Sequence, residues 1–157
     1  MIEEIYTYLT IEMIFMWLNL GVLPFWFVLI VFPQSQICSV FITSIFPIFI
    51  LSLAYGYLLY LFFNEDYDFI RNFELYLGLD AVSNLFADKA FIILFWLHFL
   101  AMNLFCGGWI VKDSQKFGIN KILLSFPILI TYFIGPIGLT LYWIIRIFYA
   151  KRVTLYD

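Results

Sequence analysis

Four long stretches of this chain are apolar and contain no Asp, Glu, Lys or Arg, and together they make up more than half of the sequence. A helix needs about 20 such residues to cross the roughly 30 Å of hydrocarbon in a bilayer, because each residue adds about 1.5 Å of length. Every stretch reaches that length, which predicts four transmembrane helices. The predicted spans are Met13–Phe32, Val40–Phe63, Ala90–Val111 and Ile122–Ile145.

The composition supports a membrane protein, since 65% of the residues are hydrophobic and only 12% are charged. Soluble domains carry about twice that charged fraction, near 25%. We therefore predict an all-α polytopic membrane protein, a single domain over residues 1–157 whose four transmembrane helices form an antiparallel bundle. The chain starts with the acids Glu3 and Glu4 where a secretory signal would be basic, so the first apolar run is expected to remain as a span.

One connection between the predicted spans is long, and it is acidic. It joins the second span to the third, runs from Asn64 to Lys89 and contains six Asp and Glu residues. Apolar residues recur through Phe69–Phe86. That pattern fits an amphipathic helix on the membrane surface or a loop that covers the bundle.

The basic residues predict which side of the membrane each end faces. Four crossings would place both termini on one side, together with five of the eight Lys and Arg residues. The opposite side would hold Lys112, Lys116 and Lys121. By the positive-inside rule, the termini are then expected on the cytoplasmic, stromal or matrix side of a bacterial inner membrane or of a plastid or mitochondrial inner membrane.

Polar groups within the spans indicate candidate functional residues, because hydrocarbon offers them no hydrogen bonds. If the spans alternate in direction, Asn19, His98 and Pro136 fall at one depth, with Glu12 nearer the membrane face. His98 is the only histidine. It either bonds to a neighbouring helix or acts as a catalytic group that contacts substrate or moves a proton. Further ligands at metal-binding spacing are lacking, so neither a metal nor a cofactor is predicted.

Two further features of the third and fourth spans are candidates for function. Asn103 can donate and accept across a helix interface. In Gly135-Pro136-Ile137-Gly138, the proline lacks a backbone donor and leaves the carbonyl of Tyr132 free, while the glycines allow another backbone or a flat ligand to approach. This break is either the lining of a cavity or a packing kink.

Read in order, several motifs resemble the abscisic-acid-deficient-four-like family, membrane proteins associated with neoxanthin synthesis in plants and also found in bacteria. The likeness extends from about Leu18 to Arg152, and the motifs of the third and fourth spans are its most specific part. These motifs are Leu23-Pro24-Phe25-Trp26, Tyr57-Leu58-Leu59-Tyr60, Trp96-Leu97-His98-Phe99 with Asn103 and Asp113, and Gly135-Pro136-Ile137-Gly138.

The resemblance implies a protein that binds or modifies a carotenoid or a similar isoprenoid lipid. In plants the family is associated with converting violaxanthin into neoxanthin, an isomerisation that opens an epoxide and leaves an allene. Such an isomerase needs an acid and a base, and His98 is the catalytic candidate for one of them. The expected binding residues are Asn19, Asn103, Asp113, Gly135, Pro136 and Gly138.

This chain departs from the family pattern at two positions. The family usually has an acid where Asn103 stands and an arginine where Gly108 stands. Loss of both charges leaves neither one buried without a partner, so the fold is expected to persist. The same loss weakens the expectation of an intact enzyme.

A second hypothesis is a non-catalytic accessory membrane subunit of a larger respiratory or photosynthetic complex. The missing charge pair and the abundance of Phe and Tyr motivate it. A transporter has little support, because the chain shows neither an internal repeat nor an intramembrane charge path. The expected partners are membrane lipid, a carotenoid or isoprenoid ligand and, under the second hypothesis, other membrane subunits. The net charge of −3 argues against nucleic-acid binding.

Overall fold

The structure, a computed structural model, describes residues 10–154, so the acidic residues Glu3 and Glu4 lie outside it. All regular elements of the described part are helical, as predicted. In chain order they are α1 (Ile11–Val31), a π-helical turn (Cys38–Ile42), α2 (Phe46–Asn64), a 3₁₀ turn (Phe69–Tyr76), α3 (Leu79–Leu85), α4 (Lys89–Lys116), α5 (Lys121–Phe133) and α6 (Gly135–Ala150).

Three helices of the described chain, α1, α2 and α4, are long and apolar enough to cross a membrane, with 21, 19 and 28 residues. The chain is therefore a membrane protein. The second of these helices begins later than the predicted Val40, because a separate π-helical turn precedes it. Pro47 then stands in the first turn of α2, where the missing backbone donor of a proline is tolerated.

The prediction of a fourth single span over Ile122–Ile145 is wrong. α5 and α6 have 13 and 16 residues, each fewer than the roughly 20 that a crossing needs. Between them Ile134 has φ −140° and ψ 83°, which is outside the helical region. Without this crossing, the even number of spans that placed both termini on one side is also lost.

α5 and α6 fold back on each other as a helical hairpin with its tip at Ile134. In a continuous helix, residues seven apart would be separated by about 10 Å. Here Gly138 lies directly against the backbone and hydroxyl of Thr131. At the open end of the hairpin, Phe126 of α5 and Ile145 of α6 line one surface recess. The two helices therefore run in opposite directions.

The contacts of the hairpin with α4 set its direction. Its tip meets α4 at Asn103, whose Nδ2 donates to the carbonyl of Tyr132 at 3.4 Å. Further along α6, Arg146 pairs with Asp113, which lies ten residues later in α4. α6 thus runs parallel to the last half of α4 and α5 runs antiparallel to it. The start of α5 and the end of α6 therefore lie near the C-terminal end of α4, where Lys116 stands.

The chain divides into two compact units, the first formed by residues up to Leu20 with Ile50–Leu100 and the second by Gly21–Phe49 with the residues from Ala101 onward. α1, α2 and α4 each contribute to both. The antiparallel arrangement of the spans in one bundle, predicted for four helices, and the single domain stay predictions.

In the first unit, polar side chains join α1 to α4. Asn19 uses both ends of its amide, because Nδ2 donates to the carbonyl of Phe15 at 2.7 Å and Oδ1 accepts from Trp96 Nε1 at 3.1 Å. Nearer the helix starts, Lys89 Nζ donates to Glu12 Oε1 at 2.9 Å. The acidic connection forms the 3₁₀ turn and α3, with Ile70, Tyr76 and Leu79 largely exposed.

The core of the second unit forms where α1 and α4 pack closely. The ring of Trp26 covers Gly107, where a Cβ would stand 2.9 Å from Cζ3 of the indole. Trp26 also makes an edge contact with Tyr132 of α5, with 5.3 Å between ring centroids. Ser125 of α5 donates to the carbonyl of Ile30 at 2.9 Å. The hairpin is thereby held against both α1 and α4.

Candidate functional site

A groove with a volume of about 460 Å³ opens on the side of the second unit. This size falls within the roughly 300–1,000 Å³ typical of small-molecule sites. One wall is the segment that leads into α2, and the other wall is α4. We call it the lateral groove. Its lining residues are Ile42, Thr43, Ser44, Ile45, Pro47, Ile48, Leu104, Phe105, Gly108, Trp109 and Lys112.

The lining of the lateral groove is mostly apolar, and Lys112 lies at one end of its α4 wall. Between Leu104 and Lys112 it follows about 12 Å of helix, at roughly 1.5 Å per residue. Lys112 is exposed, and no ion pair is described for it within residues 10–154. Its ammonium and the indole N–H of Trp109 are both donors. A ligand of this groove is therefore expected to combine a hydrocarbon body with an oxygen acceptor at one end.

Gly108 keeps the lateral groove open. A Cβ at this position would meet only the carbonyl oxygen of Ile42 and the Cα of Thr43, both at 3.9 Å. That distance is ordinary van der Waals contact, so the backbone tolerates a side chain here, but the rest of that side chain would occupy the groove. The arginine that the family resemblance implied for this position is absent, and Gly108 leaves space that a ligand can use.

Asp113 belongs to a buried polar cluster on the side of α4 that faces the hairpin. Its Oδ2 accepts from the hydroxyl of Tyr142 and from Nε of Arg146, both at 2.6 Å. The three residues are at most 4% exposed. Asp113 thus ties α4 to α6, and its predicted role as a binding residue stays a prediction.

The guanidinium of Arg146 is enclosed by further partners. Nη1 donates to the carbonyl of Thr154 at 2.9 Å, and Cζ lies 4.8 Å and 5.0 Å from the ring centroids of Phe117 and Trp143. Cation–π contacts of this kind stabilise a desolvated guanidinium. The predicted fourth span ended at Ile145, just before Arg146, and neither Arg146 nor Tyr142 was among the predicted site residues. Their spacing of four residues could have identified them, because it puts both side chains on one face of an apolar helix.

Asn103 and the Gly-Pro break meet at the tip of the hairpin. The Asn103 amide bonds to the carbonyl of Tyr132, the group that Pro136 was predicted to leave free. A Cβ at Gly135 would overlap Oδ1 of the same side chain. Pro136 stands in the first turn of α6, where a proline is well tolerated. Asn103, Gly135 and Gly138 therefore hold the reversal of the chain together.

The other predicted site residues do not line the lateral groove. His98 lies on an exposed face of α4 in the first unit, and residues 10–154 offer no described hydrogen bond to its imidazole. Asn19 is engaged by Trp96. Pro136 is exposed on α6. The catalytic role of His98 stays a prediction.

The three long apolar helices define an α-helical integral membrane protein. The chain belongs to the ABA DEFICIENT 4-like family, whose family model matches residues 13–142. It is similar to the protein ABA DEFICIENT 4, chloroplastic, of Arabidopsis thaliana, with 24% identity over 129 residues. That alignment covers 80% of this chain and 57% of the plant protein, so the chain spans little more than half of its relative's length. No solved structure matches the chain.

Proposed function

We propose that this protein binds a carotenoid or a similar isoprenoid lipid in the lateral groove and acts in carotenoid metabolism in a bacterial or organellar membrane. The observation that carries the proposal is an apolar groove, open to the side, in a membrane protein of this family. A polyene dissolves in the bilayer, so it can enter such a groove without passing through water. The chloroplastic relative makes a plastid membrane one such location.

The chemistry of the groove suits the oxygenated end of such a ligand. Lys112 and Trp109 both line the groove and carry hydrogen-bond donors, and most of the other lining residues are apolar. An end-ring oxygen would accept from these donors while the hydrocarbon chain covers the apolar wall. Donation from Lys112 would polarise a carbon–oxygen bond, which is the acid half of an epoxide-opening isomerisation.

A substitution that fills the groove tests this proposal. Gly108→Leu places a branched side chain inside the groove, and we expect it to reduce bound ligand by about tenfold or more, the effect of one or two misplaced methylenes in an apolar pocket. The measurement is extraction of pigment and lipid from protein purified in detergent from a carotenoid-producing host. Gly21→Leu is the matched control, because a Cβ there meets nothing within 4 Å.

The proposal requires bound carotenoid or isoprenoid in the wild type and in Gly21→Leu. A wild-type preparation that carries neither, together with an unchanged cellular pigment profile after deletion of the gene, would contradict it. Equal ligand content in Gly108→Leu and Gly21→Leu would show that the ligand binds elsewhere.

The exposed imidazole of His98 favours a second candidate, an accessory subunit of a larger membrane complex. An unpaired polar group in hydrocarbon costs on the order of 2 to 7 kcal/mol, a cost that a neighbouring subunit's helix would remove by hydrogen bonding. We expect the wild type to migrate with its complex in native gels and His98→Leu to be released. Met102→Leu, also on an exposed face of α4, should stay bound. Migration of the wild type at its own size would contradict this candidate.

A further inference from the structure

Exposed lysines collect at one end of the second unit. α4 carries Lys112 and Lys116 near its end, and α5 begins at Lys121. Because the hairpin reverses the chain, Lys151 follows the end of α6 at this same end of the unit. A single fourth span would have carried Lys151 to the opposite end. All four lysines are exposed, and we call them the lysine end.

In the part of the second unit that the structure describes, no exposed acidic residue balances the charge of the lysine end. Within residues 21–49 and 101–154, Asp113 is the one acid. Its carboxylate is buried and bonded to Tyr142 and Arg146. The ion pairs described for residues 10–154 include none of the four lysines. Their ammonium groups therefore add up to a local positive charge in a chain whose net charge is −3.

The length of α4 brings this charge to the depth of lipid headgroups. Its 28 residues extend about 42 Å at roughly 1.5 Å per residue, some 10 Å more than the hydrocarbon layer. The segment from Lys112 to Asn120 is mostly polar. The apolar stems of Lys112 and Lys116 can lie along the helix while their ammonium groups reach the interface.

We propose that the lysine end binds the phosphate groups of anionic phospholipids. Ammonium groups near a membrane surface are attracted by anionic lipid, which is enriched on the cytoplasmic, stromal or matrix side. With four crossings the positive-inside rule placed Lys112, Lys116 and Lys121 on the opposite side. With three crossings and the hairpin, six of the eight Lys and Arg residues fall at this end, so the rule now predicts the cytoplasmic, stromal or matrix side for it. The side of the membrane predicted for the lysine end follows from the hairpin and does not depend on what the lateral groove binds.

The test compares two lipids on the full-length protein. Native mass spectrometry in detergent would titrate the wild type with phosphatidylglycerol and, separately, with phosphatidylcholine. We expect tighter binding of phosphatidylglycerol, weakened by added salt. The triple variant Lys116→Gln/Lys121→Gln/Lys151→Gln keeps Lys112 and therefore the groove. It should lose on the order of 100-fold in affinity for phosphatidylglycerol, about fivefold for each lysine.

Lys89→Gln is the control, because Lys89 belongs to the first unit and is paired with Glu12. It should keep the preference of the wild type for phosphatidylglycerol. Equal affinity of the wild type for both lipids would overturn the proposal, and so would an unchanged preference in the triple variant. Labelling of Lys116→Cys from outside intact bacterial cells would overturn the orientation. The amount of bound isoprenoid should be the same in the triple variant and the wild type. A negative result for phospholipid binding can therefore be told apart from a negative result for ligand binding in the lateral groove.

Discussion

Replacement of Arg146 by methionine should destabilise the protein by about 3–5 kcal/mol, the cost of removing one partner from a buried ion pair. The Asp113 carboxylate would stay buried with only the Tyr142 hydroxyl as a described partner. The measurement is thermal unfolding of the purified protein in detergent. For a chain of this size the midpoint should fall by about 6–20 °C, since each kcal/mol shifts it by roughly 2–4 °C.

A double variant separates the ion pair from general packing. Asp113→Asn/Arg146→Met removes both charges, so we expect it to be more stable than Arg146→Met alone. Arg71→Met is the exposed control. Its guanidinium lies 3.7 Å from Asp88 with 41% of the side chain exposed, and such a pair contributes less than about 1 kcal/mol. Equal losses in Arg146→Met and Arg71→Met would contradict the importance of the buried cluster.

Replacement of Gly138 by alanine should open the helical hairpin. The added Cβ would lie 2.6 Å from the Cα of Thr131 and overlap its backbone nitrogen and hydroxyl. Backbone atoms cannot move aside as a side chain can, so the two helices must separate. We expect a loss of about 3 kcal/mol or more, at the upper end of the range for overpacking. Thermal unfolding in detergent and the distance between spin labels at Phe126→Cys and Ile145→Cys would report it.

The control for this effect is Gly21→Ala in α1, where a Cβ meets nothing within 4 Å. Alanine is favoured over glycine in a helix by about 1 kcal/mol, so the control should be neutral or slightly stabilised. If Gly138→Ala behaved like Gly21→Ala, the close packing of α5 on α6 would be wrong.

The outcomes at Asn103 and Asp113 show how far sequence reasoning reaches. The apolar surroundings of Asn103 indicated that its amide needs a partner on another helix, and it bonds to Tyr132. Asp113 was predicted as a binding residue because it belongs to the family motif. Its partners Tyr142 and Arg146 are 29 and 33 residues away in sequence. Only the reversal of the chain at Ile134 brings them to it.

The lateral groove was not predicted, and the reason is physical. Its walls come from the segment before α2 and from α4, which are about sixty residues apart along the chain, so no local pattern marks them. Gly108 was noted as a departure from the family. Whether the missing side chain leaves a cavity or is filled by a neighbour depends on packing across the two segments.

Length and hydropathy alone determined that this chain is a membrane protein and that α1, α2 and α4 are long enough to cross a bilayer. The reason is that the transfer of apolar residues into lipid depends on composition rather than on tertiary contacts. The tertiary structure decided that the fourth apolar run turns back. A continuous helix and a hairpin bury the same apolar residues, so hydropathy cannot separate them. The contact of Gly138 with Thr131 and the pairing of Arg146 with Asp113 exist only in the hairpin, and they place the lysines at one end.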